Sequence, residues 1–512
     1  MRIPHYFSIL APSIGCPFLF KDLSLWLLPM STVLIQPSII LYMNRQHFKL
    51  TLSLVFAIAI ITYLVSPISA QAQTVLAPLK ISENQRYFTA NGKPFFWLGD
   101  TGWLLLSKLK REQAEQYLEN RRKLGFNVIQ VMVVHDNKEI NAYGDSALVN
   151  KKINTPHVTS GGTFGKGDEY DYWDHMDWVI KLAASKGMYM ALVPVWGSVI
   201  KATKVNATDG AAYAEFLAKR FRDNSNIIWL NGGDTRGSDF TDTWEAIGNA
   251  LRKNDPDHLI TFHPFGRTQS SKWFHDSSWL DFNSFQSGHR TYAQDTDKKD
   301  LNYGEDNWRY VQADYAKTPV KPTLDAEPSY ENIPYGLHDV KLPKWNAADL
   351  RRYAYWSVFA GAAGFTYGDN DVMQFHLPTD QSSAYGSTTY WEQGIEAPGA
   401  KQMRYLKKLI ESHPYFERVP DQSLIASGQG EKYDRLLATR GKKYAYIYTY
   451  TGRDMLIDAR KLEGKMIKAN WVNPRTGIVT TIGVFPKGKS MKFNPPGEQK
   501  NGNDWVLVLD AI

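Results

Sequence analysis

Ile227-Ile228-Trp229-Leu230-Asn231-Gly232-Gly233-Asp234 is the stretch on which the fold reading turns. A run of apolar residues passes through an asparagine into two glycines and a carboxylate. A buried parallel strand that delivers an acid at its C-terminal end has this form. Pro322-Thr323-Leu324-Asp325-Ala326-Glu327 repeats it further along the chain. Outward from these two, strand-like segments fall at 94–99, 127–134, 188–195, 226–231, 258–263, 280–286, 320–326 and 364–368. Helix-like segments fall between them, at 111–124, 172–187, 209–223, 240–253, 305–317, 346–360 and 398–411. Several strands are continuous runs of Val, Ile, Phe and Met, as expected when both faces are covered. Strands that alternate with helices or long loops predict an α/β fold, a (β/α)8 TIM barrel over residues 75–415. The long segments 135–170 and 369–397 follow strands, on the side where such barrels build their sites.

Past Pro420 the pattern changes. Short β-like runs at 422–428, 433–440, 443–450, 466–472, 478–485 and 504–510 are separated by Gly, Asn, Pro and Lys, and predict a small antiparallel β-sandwich over 420–512. Tyr444, Tyr446, Tyr448 and Tyr450 alternate at period two and share one face.

Residues 43–72 read as a secretory signal: Met43, then Arg45 and Lys49, an apolar run from Leu50 to Val65, and Ala70-Gln71-Ala72 as a small-x-small cleavage site. The apolar run is shorter than the ~20 residues a membrane span needs, so no stable span is expected after cleavage. Residues 1–42 make little sense ahead of such a signal, and translation is expected to start at Met43. The expected location is therefore secreted or periplasmic, in a bacterium. The only cysteine is Cys16, so the mature chain is expected to hold no disulfide and no thiol nucleophile. Removing residues 1–72 takes away Arg2, Lys21, Arg45, Lys49 and Asp22, and lowers the formal charge from +7 to +4. That is too mild a charge to imply nucleic acid.

Two carboxylates at the ends of separate barrel strands suit glycosidic bond cleavage by paired acid chemistry. Asp234 is the candidate general acid/base, with two glycines before it to let the backbone turn. Its other reading is a helix cap or turn aspartate. Glu327 is the candidate nucleophile. On its strand Thr323, Asp325 and Glu327 share one face and Leu324 and Ala326 the other, which places the polar set inside. Asp325 is expected to support Glu327 as an acceptor beneath it. Further candidates for binding sugar are Asp100 and Trp103 after the first strand, Gln130 and His135 after the second and Trp196 after the third. His263, Gln286, His289, Tyr330, Tyr367 and Asp369 continue the set around the later strands. Amides, imidazoles and carboxylates bind hydroxyls, and aromatic rings cover the C–H face of a sugar. Each has a packing or capping reading beside it. No zinc-protease, nucleophile-elbow, P-loop or dinucleotide motif occurs, and no His, Asp or Glu spacing is diagnostic of a metal.

Taken together, GKPFFWLGDTGW (92–103), WLNGGD (229–234), PTLDAEPSYE (322–331) and WVNPRTG (471–477) resemble the apiosidase-like glycoside hydrolases, glycoside hydrolase family 140 and relatives. The resemblance covers roughly residues 75–510. It implies a (β/α)8 catalytic domain, a following β-sandwich of a type labelled collagen-binding, and a retaining carboxylate pair matching Asp234 and Glu327. It also implies release of β-linked apiose from galacturonic acid in a pectic polysaccharide, with an oligosaccharide or polysaccharide substrate and no cofactor. The rival reading is a non-catalytic extracellular protein that binds glycan or collagen. A third is the same architecture acting on another furanoside or galacturonoside. Linkage preference and oligomeric state are not written in the sequence.

Overall fold

The computed structural model describes residues 76–296 and 303–512. The extension 1–42, the signal 43–72 and Cys16 lie outside the described residues. None of the helices described is long and apolar enough to cross a membrane.

A small antiparallel sheet opens the described chain: β1 (Lys80–Ile81), β2 (Phe88–Ala90) and β3 (Lys93–Phe95). The segment 94–99 expected as one strand is therefore two. Lys93–Phe95 closes this sheet, and the first barrel strand, β4 (Trp97–Thr101), starts only after Phe96. The unbroken apolar run through the junction hides the break from a sequence reader.

The barrel continues with β5 (Val128–Met132), β6 (Tyr189–Val193), β7 (Ile227–Thr235), β8 (Ile260–Pro264), β10 (Asn283–Gln286), β11 (Thr323–Asp325) and β12 (Gly364–Tyr367). All neighbouring pairs in the order β8-β7-β6-β5-β4-β12-β11-β10 run parallel, and a short β9 (Thr268–Gln269) pairs antiparallel with β10. Between β8 and β10 the regular backbone ladder gives way to hydroxyl bridges. Thr261 Oγ1 donates to the Phe282 carbonyl and Ser284 Oγ to the Phe262 carbonyl, each at 2.6 Å, beside one backbone bond from Asp281 to Ile260 at 2.9 Å. Side chains thereby satisfy carbonyls that the missing ladder would leave bare. The helices run close to the predicted spans, from Arg111–Lys123 to Pro398–Glu411. Asp171 caps Tyr172–Ser185 by accepting from the amides of Trp173 and Asp174.

The C-terminal part is a sandwich of a six-stranded sheet, in the order β13 (Val419–Pro420), β15 (Leu437–Arg440), β16 (Tyr444–Thr449), β21 (Trp505–Ala511), β18 (Met466–Val472), β19 (Val479–Pro486), and a three-stranded one, β14 (Ile425–Ser427), β17 (Met455–Ile457), β20 (Met491–Phe493). Alternation on β16 divides its two faces. Ala445 and Ile447 join Leu507, Leu509, Met455 and Ile457 in the sandwich core. Tyr444, Tyr446, Tyr448 and, just beyond, Tyr450 face the other way and are buried in the barrel's core. Tyr448 stacks on Tyr355 of the helix Ala347–Phe359 at 4.8 Å and 9°, and Tyr446 lies over Phe359 at 5.9 Å. The tyrosine row is scaffold, covered by the barrel.

Candidate active site

Asp234 owes its position to the glycines before it. Gly232, Gly233 and Asp234 all take positive φ, at 97°, 111° and 47°. A Cβ on Gly232 would meet the His263 carbonyl at 2.6 Å, and one on Gly233 would meet the Trp196 ring at 2.5 Å. Only glycine combines that backbone with that space. The turn breaks the register between β7 and β8, which pairs Gly232 with His263 and then skips to Thr235 with Pro264. Asp234 is left outside the ladder, in the wall of a cavity of about 330 Å³.

Glu327 follows β11 and lines the same cavity. Its Oε1 meets His289 Nε2 at 3.1 Å, and its Oε2 lies 3.2 Å from His263 Nε2. The second contact is close but poorly aligned for a hydrogen bond. Tyr330, in the wall of the same cavity, accepts from Trp103 Nε1 at 2.8 Å. Beneath them Asp325 Oδ2 accepts from Ser287 Oγ at 2.7 Å and Asn307 Nδ2 at 3.0 Å.

These surroundings separate the acids. Asp234 opens onto the cavity with its side chain exposed, but the protein packed around its carboxyl strips water from it and raises it; the neighbouring Glu327 charge adds to this, the two histidines and the Gly266 amide oppose it, and its pKa rises to about 6. Burial also pushes Glu327 upward, but the His289 hydrogen bond and the two imidazoles of His263 and His289 within about 3 Å prevail and hold it at about 2. Asp325 is raised to about 7, chiefly by burial in the barrel interior. At a pH between about 2 and 6 the cavity therefore presents one protonated and one ionised carboxyl group.

Of the other predicted residues, Trp103, Trp196, Gln286, His289 and Tyr330 line the cavity, and His263 packs against both the Trp103 and Trp196 rings beside Glu327. Besides His263, five others do not line it. Asp100 points out of the barrel: Gly99, its neighbour on β4, packs on Thr366 inside, so alternation turns Asp100 toward the helices. There it meets Arg121 Nε at 2.5 Å and the Tyr117 hydroxyl at 2.6 Å, all three fully buried. Gln130 is inside but below the cavity, where it donates to the Ala326 carbonyl at 2.8 Å and accepts from Thr366. His135 is bound at Nδ1 by Glu139 at 2.5 Å in its own loop. Tyr367 shares the outward phase and donates to Glu331 at 2.6 Å. Asp369 caps the short helix Asn370–Met373 through the amides of Asp371 and Val372.

Sequence reading missed Met373, at the end of the short helix, and the loop residues Phe265, Arg267, Arg290, His338 and Tyr385, which complete the wall. Arg267 and Arg290 lie just beyond β8 and β10, so searching for the first cation past each strand end would have found both. Among the described residues, no group of three or more His, Cys, Asp or Glu is placed to share a metal ion.

Against known families, the model described as "Apiosidase-like, catalytic domain" matches residues 82–417, and "Putative collagen-binding domain of a collagenase" matches residues 419–510. No curated protein matches the chain. Among solved structures, one described as a glycoside hydrolase is 45% identical with a TM-score of 0.80, over 85% of this chain and 97% of its own. A glycoside hydrolase family 5 structure from Bacteroides vulgatus ATCC 8482 is 45% identical with a TM-score of 0.79, over 85% of this chain and 93% of its own.

Proposed function

We propose a mechanism and a substrate for this chain, which belongs to the apiosidase-like family of glycoside hydrolases. Asp234, protonated, donates to the leaving oxygen while Glu327, ionised, attacks the anomeric carbon. The C–O bond to the leaving group breaks and a glycosyl ester on Glu327 forms. Asp234, now ionised, takes a proton from water, whose oxygen attacks the anomeric carbon; the bond from that carbon to the Glu327 oxygen breaks, and the sugar leaves with its original configuration while Glu327 is restored as carboxylate. One observation carries this reading: two carboxyl groups in one cavity have pKa values driven apart to about 6 and about 2, the first suited to give a proton and the second to attack. His289 orients the nucleophile, Tyr330 is held in the cavity wall by Trp103, and Trp196 lines the space for the sugar beside it.

For substrate we propose a pectic side chain, with apiose as the released sugar and galacturonic acid as its neighbour. The guanidinium of Arg290 in the wall favours an anionic residue beside the sugar that is cleaved, while Arg267 next to it is paired with Asp295. The burial of Tyr444, Tyr446, Tyr448 and Tyr450 removes the face on which the sandwich would have held glycan. Secretion through residues 43–72 belongs to the same proposal, and N-terminal sequencing of exported protein tests it. The decisive experiment incubates purified residues 73–512 with pectin-derived oligosaccharides and identifies the products. Release of a terminal sugar from a galacturonide supports the proposal. Binding to glycan or collagen with no product from any oligosaccharide refutes it.

A further inference from the structure

The sandwich reaches the catalytic carboxylates through one short piece of barrel, residues 303–307. At one end Asn307 Nδ2 donates to Asp325 Oδ2 at 3.0 Å and to the Tyr353 carbonyl at 2.8 Å. At the other end the Gly304 amide donates to Asp295 Oδ2 at 2.7 Å, and Asp295 Oδ1 lies 2.9 Å from Nε of Arg267 in the cavity wall. Glu305 sits between them, fully buried. Its Oε2 takes Arg352 Nη2 at 2.5 Å, and its Oε1 takes the Tyr433 hydroxyl at 2.8 Å and the Tyr292 amide at 3.2 Å. Tyr433 belongs to the sandwich domain.

A buried carboxylate is stable only while its lone pairs are occupied and its charge is paired. Glu305 takes one donor from the helix Ala347–Phe359, one from its own loop and one from the sandwich, so its position requires all three parts. Asp325 depends on Asn307 in turn: among the described residues, the side chains donating to its Oδ2 are Ser287 and Asn307, and Oδ1 has no hydrogen-bond partner. Asp325 lies two residues before Glu327 on the same side of the chain, so a shift at Asn307 is passed to the nucleophile's own backbone.

We infer that the C-terminal domain is a built-in positioning element of the hydrolase, with Tyr433, Glu305 and Asn307 as positioning residues that hold Asp325 under Glu327 and Arg267 in the wall. This rests on Glu327 being the nucleophile, and it makes the domain part of the catalytic unit rather than a tethered binding module.

The test compares two hydroxyl deletions at the same interface, both in the full chain. Tyr433→Phe cuts the link to Glu305, while Tyr446→Phe removes a hydroxyl that reaches the Leu409 carbonyl at 3.1 Å, away from residues 303–307. Two readouts are taken: kcat and KM on the released-sugar assay, and the titration of Asp325 in aspartate-carboxyl ¹³C spectra, assigned by its loss in Asp325→Asn. Glu327 and Tyr310 are the other ionisable groups acting on Asp325. Tyr433→Phe is expected to lower kcat about ten-fold at unchanged KM, while Tyr446→Phe stays within about two-fold. It is also expected to move the Asp325 midpoint above its value of about 7, because the Asn307 donor that favours the ionised form is loosened. Asn307→Ala, at the other end of the link, must reproduce both changes. If Tyr433→Phe and Tyr446→Phe behave alike in both readouts, the inference is overturned. A midpoint that moves in a protein with no hydrolytic activity, wild type included, leaves the link standing and removes the glycosidase mechanism.

Discussion

Asp100 and Asp234 each stand at the C-terminal end of a barrel strand, in opposite surroundings. Asp100 keeps the regular alternation of β4 and is turned outward onto Arg121 and Tyr117, where a buried ion pair pins the helix Arg111–Lys123 to the barrel. Asp234 escapes the alternation of β7 because two glycines with positive φ precede it, and it enters the cavity without a cationic partner close enough to keep it ionised. An acid at a strand end becomes chemical or structural according to the phase of the backbone beneath it.

The sharpest way to break this comparison is to remove each acid in turn. Glu327→Gln is expected to reduce hydrolysis to background, and Asp234→Asn to reduce kcat by about 10²–10⁴-fold, the usual worth of a positioned acid/base, with both variants folded. Asp100→Ala should do the reverse. It strands Arg121 in the core and costs about 3–5 kcal/mol of stability in urea unfolding, with kcat of the folded fraction little changed. Activity lost through Asp100 at full stability would reverse the two assignments.

Next in size is the pH response. Asp234 must carry its proton for the first step, so kcat/KM is expected to fall as pH rises through about 6, and this limb should be absent from the residual activity of Asp234→Asn. Stability moves with it. The unfolded chain loses the Asp234 proton near its ordinary pKa of 3.8 while the folded chain keeps it to about 6, so this group lowers stability as pH rises across that window. Urea midpoints of wild type and Asp234→Asn across that range measure the difference. Glu327 has the opposite sign. Its contribution is complete above about pH 4.5 and is lost as pH falls through about 2. The smallest expected effect is at Arg290: Arg290→Gln should raise KM about ten-fold for a galacturonide, the scale of one charged hydrogen bond, and leave a neutral aryl glycoside unaffected. An equal change on both would remove the anionic neighbour from the proposal.

The sequence disclosed the barrel because strands buried on both faces leave apolar runs, and helices between them end at ordinary signals such as Lys186-Gly187. The two carboxylates were legible from the glycines ahead of one and the polar alternation ahead of the other. Asp100 and Tyr367 were not, because a strand end misread by a single residue inverts the side on which its last residue lies. Asp369 was ambiguous for another reason: a cap and a ligand-binding aspartate look alike until the following helix is seen. Arg267, Arg290, His338 and Tyr385 sit on loops that converge only in three dimensions, where no period marks them. The four tyrosines of the sandwich were placed correctly on one face, but what covers that face is a helix nearly one hundred positions earlier in the chain, Ala347–Phe359.

The central claim is that Glu327 carries the sugar after Asp234 has released the leaving group. The direct measurement is rapid-quench peptide mass spectrometry of Asp234→Ala mixed with an activated aryl glycoside of the sugar that the wild-type enzyme releases. The account predicts a glycosyl adduct on the peptide containing Glu327, decaying to product of retained configuration. Turnover with no adduct and an inverted product, or an adduct on any other residue, would contradict it.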